Sequence, residues 1–251
     1  ICNFGFISNM YNTLVYEPIL NSLLWLYQVT GNNLGLAIII LTLIVRGFLI
    51  PFTLPQMKSA RKMAALKPQL DALKKKHGKD PKVLQKKQLE FYKAHGVNPA
   101  GGCLPFIAQF IVLIALYRVF MNTLSGDNAM FEQVHFLWLD LSVKDTSYVL
   151  PVLAGVLQFI TSLTMLPGIE NEPAKRKGSK KDKEDVAEMA QSMQQQMVFF
   201  MPIMTVVFAL QFPAGLALYW VITTLFSLVQ QLVISGPGGL KKYLLKVGVK
   251  L

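Results

Sequence analysis

The run LGLAIIILTLIVRGFLIPF, residues 34–52, decides the fold, because apart from Thr42 and Arg46 it offers only apolar side chains, glycine and proline. A helix that crosses a bilayer needs about 20 mostly apolar residues, and this run opens a span read at 34–57. Comparable runs occupy 99–124, 148–166 and 197–235. The last is long enough for two spans, with Phe212-Pro213-Ala214 forcing a tight hairpin between them. The expected fold is therefore all-α and polytopic, with five transmembrane helices. Composition agrees: 53% of the 251 residues are hydrophobic and only 16% are charged, where a soluble domain carries about a quarter. A net charge of +11 beside a mean hydropathy of +0.41 describes a membrane protein with basic loops, and sequence-specific nucleic-acid binding is not expected.

The positions of Lys and Arg orient the bundle, since cytoplasmic loops retain them. Residues 58–95 hold 12, residues 167–190 hold six and the tail beyond 235 holds four of the 25, whereas 1–33 and 125–147 together hold only Lys144. This places 1–33 and 125–147 outside. The segments 58–98, 167–196 and 236–251 fall inside, with the N-terminus out and the C-terminus in.

Within 1–33, Tyr16, Ile19, Leu20, Leu23, Leu24 and Tyr27 recur at helical spacing, while Glu17, Asn21 and Gln28 fall elsewhere around the helix. An amphipathic helix on the outer membrane face is expected, with a short sixth span as the alternative, disfavoured because Asn32 and Asn33 break the apolar run. The chain starts Ile1-Cys2-Asn3 without an initiator Met. Cys2 reads as a free thiol, with a lipidated N-terminus as the alternative.

In 58–98, Met63, Leu66, Leu70 and Leu73 form one apolar seam, and Asp80-Pro81 supplies an N-cap and a first-turn residue for a second helix carrying Leu84 and Phe91. This is a cytoplasmic helical hairpin with 12 basic and three acidic residues over 58–95. Lys74, Lys75, Lys76, Lys82, Lys86 and Lys87 are its candidates for partner docking; contact with anionic lipids is the other reading. Segment 167–190 balances six basic against six acidic residues and reads as a linker.

Arg46 lies 12 residues beyond Leu34, about 18 Å at the helical rise. A charge at that depth costs about 2.5–3.5 kcal/mol, and no Asp or Glu falls in any span. Either the side chain snorkels to the inner headgroups, or water and neutral polar groups solvate it in a cavity of the bundle. The second is preferred, with Gln109, Gln158, Thr161, Ser162, Thr205, Thr223, Thr224 and Ser227 available on the other spans. Tyr219 and Trp220 read either as interfacial aromatics or as cavity lining. Scattered His77, His95 and His135, two cysteines and the absence of HExxH, GxSxG or GxxxxGK[ST] leave no metal, cofactor or catalytic constellation, so an enzyme is not expected.

Four stretches together resemble one family, the YidC membrane protein insertases: NLGLAIIILTLIVRGFLIPFTLPQMKS (33–59), YKAHGVNPAGGCLPFIAQF (92–110), FLWLDL (136–141) and MPIMTVVFALQFPAGLALYW (201–220). The resemblance runs from about residue 14 to 235, and the short N-terminal region is like that of members without a large periplasmic domain. It implies a bacterial cell membrane protein that inserts and helps fold nascent membrane proteins, alone or beside the Sec translocon. The implied device is a hydrophilic groove open to cytoplasm and lipid. Arg46 matches the family's groove arginine and Trp220 its aromatic lining residue, with Tyr219 adjacent; Thr161 or Ser162 stands nearest to a family glutamine of the third span. Signal recognition particle machinery and ribosomes are further implied partners, the latter through a basic tail that here carries only Lys241, Lys242, Lys246 and Lys250. A small anion channel or transporter built on Arg46 is the competing class, for which the spans show no internal repeat; a structural assembly factor is a third.

Overall fold

Thr30-Gly31-Asn32-Asn33 is the first corner of the chain, and its residue types explain its shape. Gly31 and Asn32 adopt positive φ (70° and 62°), the conformation that ends a helix most cheaply in glycine or asparagine. The Asn33 side chain then accepts from the Leu36 amide at 3.0 Å and so caps the next helix. In the computed structural model, which describes residues 9–66, 69–70, 72–73, 80–96, 104–123, 130–165 and 186–236, this corner joins α1 (Glu17–Val29) to α2 (Leu34–Ala65). There follow α3 (Pro81–Ala94), α4 (Leu104–Thr123), a two-residue antiparallel hairpin of β1 (His135–Phe136) and β2 (Leu139–Asp140), α5 (Val149–Met165), α6 (Val186–Gln211) and α7 (Ala214–Ser235).

Among the described residues, α2 and α7 contain segments long and apolar enough to cross a membrane, Leu34–Met63 and Ala214–Ile234. Gln109–Thr123, Val149–Thr164 and Phe199–Gln211 are shorter apolar helices. The boundary expected at 57 falls inside α2, which runs to Ala65 with the Leu66 amide still donating to the Lys62 carbonyl at 3.0 Å. Only Phe212 and Pro213 separate α6 from α7, as the Phe-Pro-Ala turn requires.

The chain divides into two compact units: Ile1–Pro51, Cys103–Gln158 and Pro202–Ser227 form one, and Phe52–Gly102, Phe159–Met201 and Leu228–Leu251 the other. In the first, Leu23, Leu34, Ile38, Phe120, Leu141 and Leu216 are fully buried. The amphipathic face read from the sequence turns inward: Leu23 and Tyr27 are buried, Tyr16, Ile19, Leu20 and Leu24 pack on the same core, and Glu17, Asn21 and Gln28 are exposed. The Tyr27 hydroxyl accepts from the Gln133 amide at 2.9 Å, and its ring meets Phe131 edge-on. The segment following β2 also serves as a cap for α7. Val143 and Leu141 carbonyls accept from the Ala214 and Gly215 amides at 2.7 and 3.0 Å, which satisfies donors a helix start leaves open. A Cβ on Gly215 would stand 3.1 Å from the Leu141 carbonyl.

Gly35 shows how closely this unit is packed. A Cβ there would lie 2.1 Å from Cγ of Phe136 and 2.6 Å from its Cβ, the rigid end of that side chain. Gly35→Ala gains at most about 1 kcal/mol of helix propensity against an overpacking cost of about 1–3 kcal/mol. The variant is expected to melt below the parent in detergent, with Phe136→Ala restoring part of the loss in the double variant; additive destabilisation would contradict the contact.

In the second unit, α3 starts as its sequence dictates, with the Asp80 carboxylate accepting from the Val83 amide at 3.2 Å. It ends at Gly96, φ 64°, and buries Leu84. The Gln230 amide donates to Thr53 at 2.8 Å, Arg61 donates to the Ile234 carbonyl near the end of α7, and the Phe159 and Phe199 rings lie 5.8 Å apart.

Candidate functional site

Arg46 emerges from the middle of α2 into a chain of neutral polar groups. Its Nη2 donates to Oε1 of Gln109 on α4 at 2.6 Å, and Nε2 of Gln109 donates to the hydroxyl of Tyr219 on α7 at 2.9 Å. The order is dictated by chemistry. A guanidinium has donors only, so the glutamine must turn its carbonyl oxygen to Arg46, which aims its amide group at an acceptor, the Tyr219 oxygen. Helix register supplies the three residues: one from each of α2, α4 and α7, all in the first unit.

Arg46 and Gln109 are half-buried and Tyr219 is buried. Among the described residues Arg46 forms no ion pair with a carboxylate. Its positive charge is thus held in place by hydrogen bonds without being neutralised. Beside Tyr219, a void bounded by Ile38, Leu41, Thr42 and Val112 measures about 10 Å³, the threshold for one water.

The other polar residues of the helices divide differently from the sequence expectation. Thr224 donates to the Trp220 carbonyl and Ser227 to that of Thr223, both at 2.9 Å. Thr42, outside the expected set, does the same to Ile38 at 2.6 Å. Such bonds to the preceding turn satisfy a hydroxyl inside its own helix, so these side chains need no partner across the bundle. Thr161 is buried and Ser162 half-buried; both belong to the second unit, where the Thr161 carbonyl accepts from Thr164 at 2.7 Å. Trp220 packs half-buried against the core of the first unit. Of the expected groove residues, Arg46, Gln109 and Tyr219 are therefore brought together by direct hydrogen bonds.

Of the docking lysines, Lys74, Lys75 and Lys76 lie outside the described residues. Lys82 falls in the first turn of α3, and Lys86 and Lys87 are exposed. Lys87 donates to Glu90 at 2.9 Å, and this bond together with the ammonium charge holds the Glu90 carboxyl below its usual range.

Sequence reading passed over Arg118. It lies on α4 with its guanidinium carbon 5.6 Å from the ring centroids of both Tyr11 and Tyr16. The signal was available, as an Arg inside the run 99–124 needs a reason as much as Arg46 does.

Comparison with known proteins identifies the family of the chain. The family described as 60Kd inner membrane protein matches residues 25–238. The chain is 36% identical over 233 residues to the membrane protein insertase MisCA of Bacillus subtilis, covering 91% of this chain and 80% of that one. It is 33% identical over 234 residues to the membrane protein insertase YidC 2 of Bacillus anthracis, with 92% and 83% covered. Against the membrane protein insertase YidC of Shewanella loihica it is 40% identical over 225 residues, 89% of this chain but 37% of that longer protein. With the family pattern matched over residues 25–238 and two relatives covered to 80% and 83% of their length, the chain belongs to the 60Kd inner membrane protein family.

Proposed function

We propose that this protein is a membrane protein insertase whose working group is the uncompensated charge of Arg46. The observation that carries the reading is the Arg46–Gln109–Tyr219 chain: a cation within an apolar helix, fixed by neutral partners, with its charge left to act on a ligand. A translocated segment rich in Asp or Glu is such a ligand. Polar surroundings partway through the bilayer shorten the apolar distance that segment must cross, and the substrate's own hydrophobic helix then partitions into lipid and drives the step. No nucleotide is required. The relatives' names support the same activity.

The proposed topology has five spans, N-terminus outside and C-terminus inside, because the basic residues cluster in 58–95, 167–190 and the tail. The basic helical hairpin docks a partner or anionic lipid from the cytoplasm; signal recognition particle machinery, the Sec translocon and ribosomes are the partners considered. In a background with Cys2 and Cys103 replaced by serine, a membrane-impermeant thiol reagent should label Thr146→Cys in intact cells, and label Lys86→Cys only after permeabilisation; the reverse pattern would overturn the orientation. The activity itself is tested by adding a single-span substrate with an acidic translocated tail to liposomes that contain only this protein. Tail protection from protease is expected, and protection equal to that of empty liposomes would refute the reading.

A further inference from the structure

Residues 12–16 form a π-helical turn leading into α1, a rare conformation that recurs at functional sites. Its effect is specific. In an α-helix Tyr11 and Tyr16 would point about 140° apart, whereas hydrogen bonding from i to i+5 brings residues five apart toward one face. Both rings thereby come under Arg118, 5.6 Å from its guanidinium carbon. Arg118 also donates to Asn12 at 3.3 Å, and Asn122, one turn along α4, donates to the Tyr16 hydroxyl at 3.1 Å. Arg118 is exposed and forms no ion pair with a carboxylate among the described residues. Among the described residues the Tyr11 hydroxyl, which is buried, has no hydrogen-bond partner.

A second feature adjoins this one. Val15, inside the π-helical turn, lines a groove of about 390 Å³ with Ile44, Phe48, Leu49, Ile111 and Val112. Every one of these side chains is apolar, and Phe48, Ile44 and Ile111 are exposed. Ile111 stands seven residues before Arg118, two helical turns and about 10 Å along the same face of α4. The chain thus presents, on one face, a guanidinium set 5.6 Å from two aromatic rings, with no carboxylate partner among the described residues, and an open apolar channel about two turns away.

We infer that this face binds one anionic glycerophospholipid, its phosphate on Arg118 and an acyl chain in the Val15–Phe48–Ile111 groove. Each half matches one half of such a lipid. An arginine fork suits a phosphate, the single bond from Nη1 to Asn12 leaves other guanidinium donors for it, and an apolar channel open to the surroundings suits a methylene chain. The groove adjoins the Arg46 chain, since Val45 and Val112 line both it and the void beside Tyr219, but the phosphate end at Arg118 uses none of the Arg46, Gln109 or Tyr219 side chains. Only the leaflet rests on the proposed topology, which puts the Arg118 end of α4 outside.

The test uses the full chain in detergent, delipidated and titrated with phosphatidylglycerol, with phosphatidylcholine of the same acyl chains, or with inorganic phosphate, read by native mass spectrometry and by thermal midpoint. Phosphatidylglycerol should be retained and raise the midpoint, phosphatidylcholine should bind several-fold more weakly, and inorganic phosphate should have no effect at the same concentration. Arg118→Gln, which keeps a donor for Asn12, should weaken phosphatidylglycerol binding at least tenfold; Arg118→Lys should lose less. Val15→Trp, which fills the channel, should weaken binding of both lipids with Arg118 intact. Equal binding by parent and Arg118→Gln, or a phosphate effect matching that of the lipid, would overturn the proposal. So would Val15→Trp that abolishes insertion but leaves lipid binding unchanged, since the groove would then belong to a substrate helix. Because binding is read in detergent, a reversed labelling pattern at Thr146 and Lys86 would move the site to the inner leaflet and leave its existence untouched.

Discussion

Arg46→Ala is expected to lower insertion of substrates with acidic translocated tails at least tenfold in liposomes containing only the protein, and to affect substrates without those acids much less. The charge is the reason. At an effective dielectric of about 20, a carboxylate about 4 Å from the guanidinium gains about 4 kcal/mol, and a tenfold rate effect needs only about 1.4 kcal/mol of that. Arg46→Lys should keep much of the activity because a point charge persists, although an ammonium cannot reproduce the guanidinium fork. Stability should change little. Removing the cation relieves a cost of about 2.5–3.5 kcal/mol for a charge at mid-bilayer and forfeits a charged hydrogen bond to Gln109 worth about 1.5–3 kcal/mol. A folded Arg46→Ala protein that inserts acidic-tailed substrates at the parental rate would refute the role of the charge.

The second large effect is expected at Gln109, where two substitutions separate charge from positioning. Gln109→Glu places a carboxylate where Oε1 now receives Arg46 at 2.6 Å. The pair becomes neutral, so insertion of acidic-tailed substrates should fall as far as in Arg46→Ala although Arg46 is still present and the thermal midpoint is not lowered. Gln109→Leu leaves the charge and deletes both hydrogen bonds. Here the midpoint should drop, by an amount corresponding to about 1.5–3 kcal/mol for the charged bond alone, while the preference for acidic tails survives. If Gln109→Glu kept full preference for acidic tails, the free charge of Arg46 would not be the working group.

Neutral partners are what give these variants their contrast. A carboxylate in place of Gln109 would stabilise the cation more strongly and silence it. On the proposed reading, the Arg46–Gln109–Tyr219 chain fixes the guanidinium and leaves its charge to act on a substrate, a compromise between folding and function.

What the sequence determined by itself was whatever depends on local chemistry. Apolar runs gave the helices, since their length and composition are additive along the chain. Asp80 gave a helix start, because a side-chain oxygen three residues ahead of an amide needs no tertiary partner. The spacing of Tyr16, Ile19, Leu23 and Tyr27 gave the buried face of α1. Tertiary structure decided what depends on residues far apart in the chain. Arg46 and Gln109 were both legible as candidates, yet only the packing of α2, α4 and α7 selected Gln109 and Tyr219 from eight polar residues and two aromatics of similar promise. Thr224 and Ser227 were lost as candidates because a hydroxyl within reach of its own preceding turn bonds there first. The π-helical turn beneath Arg118 was invisible for a related reason. It gains nothing from local propensity and persists because Tyr11, Asn12 and Tyr16 are held by one arginine and one asparagine more than a hundred residues away.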